Sequence, residues 1–225
     1  MYIAASALFW GVSATLGRAA FTGRLAFFSS NLRPLDPLIL SQCRTTLSLL
    51  VLVPILLTRR SAGSLMMPRS DLFRCLTIGV LGVAASNYFY YLAIQRTNVA
   101  VAIVLQYTAP VWVLLYMVAR KLQRPTLLRI SSVALAVVGC GLVIQLIGPG
   151  HWNVDMLGVG AAILASFSFA FYNIGGHGIL AIHDRWKVLL WVLAGASAVW
   201  LLLNPPWNIV GRYSGAEWIF MLVFA

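Results

Sequence analysis

Seven stretches of about 20 apolar residues follow one another along this chain, and they constrain its fold more than any other feature. The runs cover approximately 2–21, 38–57, 72–94, 98–119, 128–147, 156–180 and 187–203. Hydrocarbon offers no partner to a backbone N–H or C=O group, so a chain that crosses a bilayer forms helices that pair these groups internally. The sequence therefore predicts an all-α fold, a polytopic membrane helix bundle.

The charged residues support this prediction because they are few and lie between the apolar runs. They make up 9% of the chain, whereas a soluble domain carries roughly 25%. The formal net charge of +11 could indicate nucleic-acid binding if the basic residues shared one soluble surface. They lie instead in short loops, as topology determinants do. We therefore expect the lipid bilayer as a partner and no nucleic acid.

The basic residues are shared unequally between the two sides of the membrane. If the helices alternate in direction, ten Lys and Arg fall in loops on the side of the N-terminus, and four fall on the other side. Short cytoplasmic loops carry the excess of positive charge in membrane proteins. We predict a multi-pass protein of the inner, or plasma, membrane with its N-terminus in the cytoplasm.

Several local sequences carry a family resemblance. They are Phe9-Trp10-Gly11, the segment from Pro37 to Arg44, the stretch from Tyr91 to Ala102 with Pro110 one helix later, and Gly139 with Gly141. Together they resemble the drug/metabolite transporter superfamily, in its ten-helix branch built from two EamA-type domains. The resemblance implies a first five-helix repeat over 1–147 and an incomplete second repeat over 156–225. Because five is an odd number, the second repeat would be inverted relative to the first.

The last apolar run is shorter than the others. It begins near Trp218 and has 8 residues before the chain ends, where about 20 are needed to span a bilayer. We expect seven complete transmembrane helices plus a stub, in a truncated form of a ten-helix protein. Independent transport by this polypeptide is therefore in question.

Polar residues at membrane depth are candidates for a substrate site, because placing them there is costly unless a partner, a cavity or a substrate compensates. Asn87, Tyr91 and Gln95 are spaced i, i+4 and i+8, which puts them in one stripe of helix 3. Pro110 lacks an N–H group, so it leaves the carbonyl of Gln106 without its helical partner. Counted outward from the turn between helices 3 and 4, Asn87 and Gln106 reach similar depth. A role in helix packing alone stays open.

Arg44 is the strongest single candidate. It lies about six residues, or roughly 9 Å, inside the outer end of helix 2, where it either snorkels outward or faces the bundle and attracts an anion. Trp10 and Tyr107 are deep enough to line a cavity. The predicted substrate-binding residues are Trp10, Arg44, Asn87, Tyr91, Gln106, Tyr107 and Pro110.

We predict a secondary transporter, an exporter or exchanger, that moves a small anionic or amphipathic metabolite by alternating access without a cofactor. The chain has no phosphate-binding glycine loop, paired carboxylates or nucleophile elbow, so we predict no enzyme, no catalytic residue and no metal site. The alternatives are a seven-helix membrane receptor or sensor and a membrane subunit with a packing role only. A photoreceptor would need a lysine in mid-helix, but Lys121 and Lys187 lie at helix ends. A homodimer stays open.

The predicted topology can be tested with reporter fusions. We expect cytoplasmic reporter activity from fusions at Ser64 and Gln123, because both positions lie in the positively charged loops. A periplasmic signal at both positions would contradict the orientation.

Overall fold

The computed structural model describes residues 2–22, 34–59, 62–124, 126–146 and 155–224, and in these ranges the chain is helical without a strand. Its longer helices are α1 Tyr2–Thr22, α2 Pro37–Arg59, α3 Arg69–Arg96, α4 Val99–Ala119, α5 Leu127–Leu146, α6 Met156–Leu180, α7 Arg185–Leu203 and α8 Gly215–Phe224. Short helical turns lie at Ala62–Leu65 and Trp207–Val210. These bounds confirm the predicted all-α bundle.

The bundle is a membrane fold by the length and composition of its helices. Five helices of the described ranges, α2, α3, α4, α6 and α7, are long and apolar enough to span a bilayer. Helices α1 and α5 have 21 and 20 residues, which is also a spanning length. Exposed apolar side chains such as Leu57, Leu164 and Leu202 cover outer faces of the bundle. Hydrocarbon rather than water suits such a surface.

Two of the spanning helices depart from regular α-helical geometry. Helix α3 widens into a π-helix over Ile78–Ala84. Helix α4 consists of Val99–Gln106 and Ala109–Ala119, with an interruption between them. Pro110 is the second residue after the interruption, and its missing N–H group predicts a break there. There the hydrogen bonds tighten, because the N–H groups of Thr108 and Val111 donate to carbonyls three residues earlier.

The acidic residues stabilise helix starts. All five acidic residues of the chain lie just before a helix or in its first turn: Asp36, Asp71, Asp155, Asp184 and Glu217. Asp155 and Asp184 accept hydrogen bonds from backbone N–H groups at 3.0 and 3.1 Å. A carboxylate is favourable there because the first N–H groups of a helix lack helical partners and carry partial positive charge.

Helix α3 lies at the centre of the described bundle and packs against α1, α2, α4, α6 and α7. At its crossing with α7 the two backbones touch. A Cβ atom at Gly79 would lie 2.1 Å from the carbonyl oxygen of Val192, and one at Gly195 would lie 2.6 Å from that of Leu76. Small residues allow this approach, which drives helix association in membranes through van der Waals contact.

Polar pairs also connect the first helices to α6 and α7. The side chains of Gln42 on α2 and Asn204 at the end of α7 are joined at 3.0 Å, and Gln42 also donates to the Asn204 carbonyl at 2.7 Å. His183, in the turn after α6, lies 2.8 Å from Asp71 at the start of α3. These contacts fix both ends of α7 against the first half of the chain.

The close contact of α3 and α7 at Gly79 and Gly195 predicts that an added methyl group lowers stability at these two positions and not at Gly160. We expect Gly79→Ala and Gly195→Ala each to lower stability by about 1–3 kcal/mol, because the new Cβ would overlap a neighbouring backbone. Gly160→Ala on α6 is the matched control, since its Cβ would meet nothing within 4 Å. Thermal unfolding of purified protein in detergent measures the difference. Equal melting temperatures for the three variants would contradict the close crossing.

Candidate functional site

A cavity of about 930 Å³ is lined by α2, α3, α4, α6, α7 and α8, at the upper end of the range typical of small-molecule sites. Its wall is mainly apolar, formed by Leu, Val and Ile side chains of α2 and α7 together with Phe169 and Tyr172 of α6. A smaller group of polar side chains lies on α2, α3 and α4: Arg44, Thr45, Ser48, Ser86, Asn87, Tyr90 and Gln106. An apolar cavity with a few polar groups suits an organic small molecule.

The two irregular helices both border this cavity. Gly82 and Val83 of the π-helical segment form part of the wall, and Ser86, Asn87 and Tyr90 follow on the next turns of α3. Gln106 is the last residue before the interruption of α4. π-helical turns and interrupted membrane helices are both frequent at functional sites. The backbone irregularities therefore point to the same place as the polar side chains.

A chain of hydrogen bonds joins three helices at the polar side of the cavity. Gln106 Nε2 donates to Ser86 Oγ at 3.5 Å, and Ser86 Oγ donates to the Ala165 carbonyl at 3.4 Å. Both side chains are more than nine-tenths buried. Asn87 lines the same cavity. The structure thus brings Asn87 and Gln106 to one cavity.

Arg44 faces the interior of the bundle. Its Nη1 donates to the Tyr91 hydroxyl at 2.6 Å and to Ser13 Oγ at 3.5 Å, and its side chain lines the cavity. No carboxylate in the described ranges pairs with it. Arg18 of α1 serves a different purpose, because its Nη1 donates to the carbonyls of Ile94 and Thr97 at the end of α3.

The first 145 residues match the model of the EamA-like transporter family. This chain belongs to the EamA-like transporter family. It is also 22% identical over 161 residues to an uncharacterized inner membrane transporter, YicL, of Salmonella typhimurium strain LT2. The match covers 72% of this chain and 53% of that relative, so the chain spans about half the length of the curated relative it matches. The resemblance inferred from the local sequences is confirmed.

Three other predicted site residues, Tyr91, Tyr107 and Pro110, do not line this cavity. Tyr91 is fully buried among core side chains, where it contacts Phe21 and bonds to Arg44. Tyr107 is 54% exposed, Pro110 is exposed, and neither lines the cavity. These positions do not test substrate binding, so the binding roles of Tyr91, Tyr107 and Pro110 stay predictions. The side chain of Trp10 lies outside the described part of the structure.

Tyr90 is a cavity residue that the sequence analysis missed. Its side chain is 4% exposed and lines the cavity, and its hydroxyl oxygen is buried without a hydrogen-bond partner. The predicted stripe used the i+4 step from Asn87, which leads to Tyr91. The i+3 step, which shares a helix face equally well, leads to Tyr90. That spacing is the signal that could have found it.

Hydrogen bonds to Ser166 hold the interruption of α4 in this EamA-like bundle. The Thr108 hydroxyl lies 2.8 Å from Ser166 Oγ and donates to the Leu105 carbonyl at 2.6 Å. Trp112 Nε1 donates to Ser166 Oγ at 3.1 Å. Ser166 on α6 is fully buried. One hydroxyl therefore connects the break and the helical segment after it to the neighbouring helix.

Removal of this hydroxyl should destabilise the protein. We expect Ser166→Ala to lower the free energy of unfolding by about 1–3 kcal/mol, because Thr108 and Trp112 each lose a buried partner. Ser168→Ala is the control, since that half-buried hydroxyl has no hydrogen-bond partner within the described ranges. Chemical denaturation in detergent compares the two. Equal losses of stability would show that the Ser166 bonds do not hold the break.

Proposed function

We propose that this chain forms the substrate-binding core of a secondary transporter that moves a small metabolite across the inner membrane by alternating access, as an exporter or exchanger. Membership of a transporter family supports a transport role. The observation that carries the finer proposal is the 930 Å³ cavity at the irregular parts of α3 and α4. Its volume and its few polar groups fit one small organic molecule.

We further propose that the chain contains a five-helix repeat over 1–147 and the beginning of an inverted second repeat over 156–225. In inverted-repeat transporters the substrate lies between the repeats and contacts interrupted helices. The cavity has this character, because α2, α3 and α4 of the first unit and α6 and α7 of the second unit all contribute to it. Helices α2 and α7, the second of each unit, also pack together. Residues 147–154 between the units lie outside the described ranges.

The orientation belongs to the same proposal. The N-terminus and the basic loops near Arg59 and Arg120 would face the cytoplasm, because the loop charges favour that side. Arg44 lies near the opposite end of α2 from Arg59. It would therefore lie toward the outer side of the cavity.

Transport assays test the proposal. Proteoliposomes that contain the full-length protein are tested for saturable uptake and counterflow of a panel of radiolabelled metabolites. We expect at least one compound to be transported, with concentration dependence and exchange by unlabelled compound. Two results together would instead indicate a packing role: the folded protein transports no compound of the panel, and substitutions of Gln106 and Asn87 change only stability.

Substitutions of polar residues in the cavity should then weaken substrate affinity. We expect Asn87→Ala and Gln106→Ala each to weaken binding of the transported compound about fivefold, since a lost hydrogen bond costs on the order of 1 kcal/mol. Gln95→Ala on the exposed end of α3 is the control and should leave affinity unchanged. Tyr91→Ala should lower stability instead, because that side chain is fully buried. Apparent KM and melting temperature are measured for each variant.

A further inference from the structure

We propose that the cavity recognises a soluble organic monoanion, a carboxylate with an apolar body, and that the Arg44 guanidinium and the Tyr90 hydroxyl together bind its charged group. This inference rests on the proposed role of the cavity as a substrate site. It names the class of substrate, and it assigns a binding role to Tyr90.

The first observation is the charge of the cavity. Among the described residues, Arg44 is the one ionisable group of permanent charge that lines it. The acidic residues of the chain lie at helix starts, where helix N–H groups and loop partners engage them. A cation in a largely apolar wall is costly unless an opposite charge approaches. The cavity therefore favours an anion over a neutral or cationic compound.

The hydrogen bonds of Arg44 leave donors available for such an anion. Both of its side-chain bonds use Nη1 and go to neutral hydroxyl groups, those of Tyr91 and Ser13. Nε and Nη2 have no acceptor in the described ranges. A guanidinium offers its donors in a planar fork that matches the two oxygens of a carboxylate. Arg44 is thus fixed by Nη1 and can bind a ligand with its remaining donors.

The second observation, independent of charge, is the orphaned hydroxyl of Tyr90. Buried hydroxyl groups in proteins nearly always have a hydrogen-bond partner. Four buried side-chain polar atoms of the described residues have none: Thr46 Oγ1, Tyr90 Oη, Ser197 Oγ and Trp200 Nε1. Of these residues, Tyr90 alone lines the cavity. The oxygen itself is inaccessible from the cavity in this structure, so a shift of the side chain would bring it to a ligand acceptor, which would satisfy it.

The remaining wall defines the rest of the ligand. Leu52 and Ile55 of α2 and Leu189, Val192 and Leu193 of α7 present aliphatic groups to the cavity. These side chains suit an apolar body. One guanidinium balances one negative charge, so a monoanionic carboxylate fits better than a dianionic phosphate ester.

Binding of three compounds of similar size tests the inference. The probes are benzoate, benzamide and benzylammonium, and their affinity for the full-length protein in nanodiscs of zwitterionic lipid is measured by calorimetry. We expect benzoate to bind at least tenfold more tightly than benzamide, and benzylammonium to bind more weakly still. Equal or tighter binding of benzamide or benzylammonium would overturn the proposal.

Tyr90→Phe provides the most informative variant, because it removes a hydroxyl that has no partner in the protein. We expect benzoate to bind about tenfold more weakly, while the melting temperature stays the same or rises. Tyr88→Phe is the matched control: Tyr88 does not line the cavity and packs on Trp200, so benzoate affinity should not change. Equal effects of the two substitutions on benzoate affinity would contradict a role for Tyr90.

Arg44→Met should remove the preference for benzoate over benzamide. This substitution also takes a partner from Tyr91, so Arg44→Met is combined with Tyr91→Phe if the single variant does not fold. A retained preference in either folded variant would overturn the role of Arg44. The anionic group bound at Arg44 could also come from a lipid headgroup. Nanodiscs that contain anionic lipid test this, because a headgroup bound at Arg44 would displace benzoate. Such displacement would contradict a soluble ligand.

The outcomes separate this inference from the proposed function. If the transport assays reveal a neutral or cationic substrate whose affinity depends on Gln106, the transport role stands and the anion proposal fails. If benzoate binds with the expected dependence on Tyr90 but no compound is transported, the anion site stands and the transport proposal fails.

Discussion

This structure depends on one constraint: inside a lipid bilayer, every backbone N–H and C=O group needs a hydrogen-bond partner within the protein. Lipid offers no substitute partner, so every departure from a regular helix must be compensated within the protein. The described bundle has such departures in α3 at Ile78–Ala84 and in α4 before Ala109. Ser166 supports the second through Thr108 and Trp112. Both irregular segments border the cavity, so the bundle concentrates its unusual backbone where a ligand could contact it.

The positions of the charged side chains also follow from the absence of water inside the bilayer. The acidic residues lie at helix starts, where the first N–H groups stabilise them and where they are close to the membrane surface. Arg18 bonds to carbonyl groups at the end of α3, which is the favourable place for a cation. Arg44 differs from both groups, because its described partners are the neutral hydroxyls of Tyr91 and Ser13. The cavity thus has a positive charge that no local carboxylate balances.

Much of the fold could be predicted from the sequence because apolar runs are a local signal. The runs at 72–94 and 187–203 agree with Arg69–Arg96 and Arg185–Leu203 to within a few residues. Counting from the turn placed Asn87 and Gln106 at similar depth, and both line the cavity. The apolar runs do not show which way individual side chains point. The i+3 and i+4 steps from Asn87 share its helix face equally well, and the predicted stripe followed the i+4 step, so it included Tyr91 and omitted Tyr90. The bonds of Ser166 and the crossing of Gly79 with α7 join distant segments, which periodicity does not relate.

The properties of Arg44 and Tyr90 are poorly explained by packing alone. A helix interface in lipid gains from small residues in close contact, as at Gly79 and Gly195. A cation without a carboxylate and a buried hydroxyl without a partner both reduce stability, and apolar residues of similar volume would avoid those costs. Natural sequences retain such local conflicts chiefly where function requires them. Arg44 and Tyr90 occupy one cavity, beside the irregular segments of α3 and α4. A ligand that brings an anionic acceptor would resolve both conflicts together, whereas a neutral ligand without an acceptor would resolve neither.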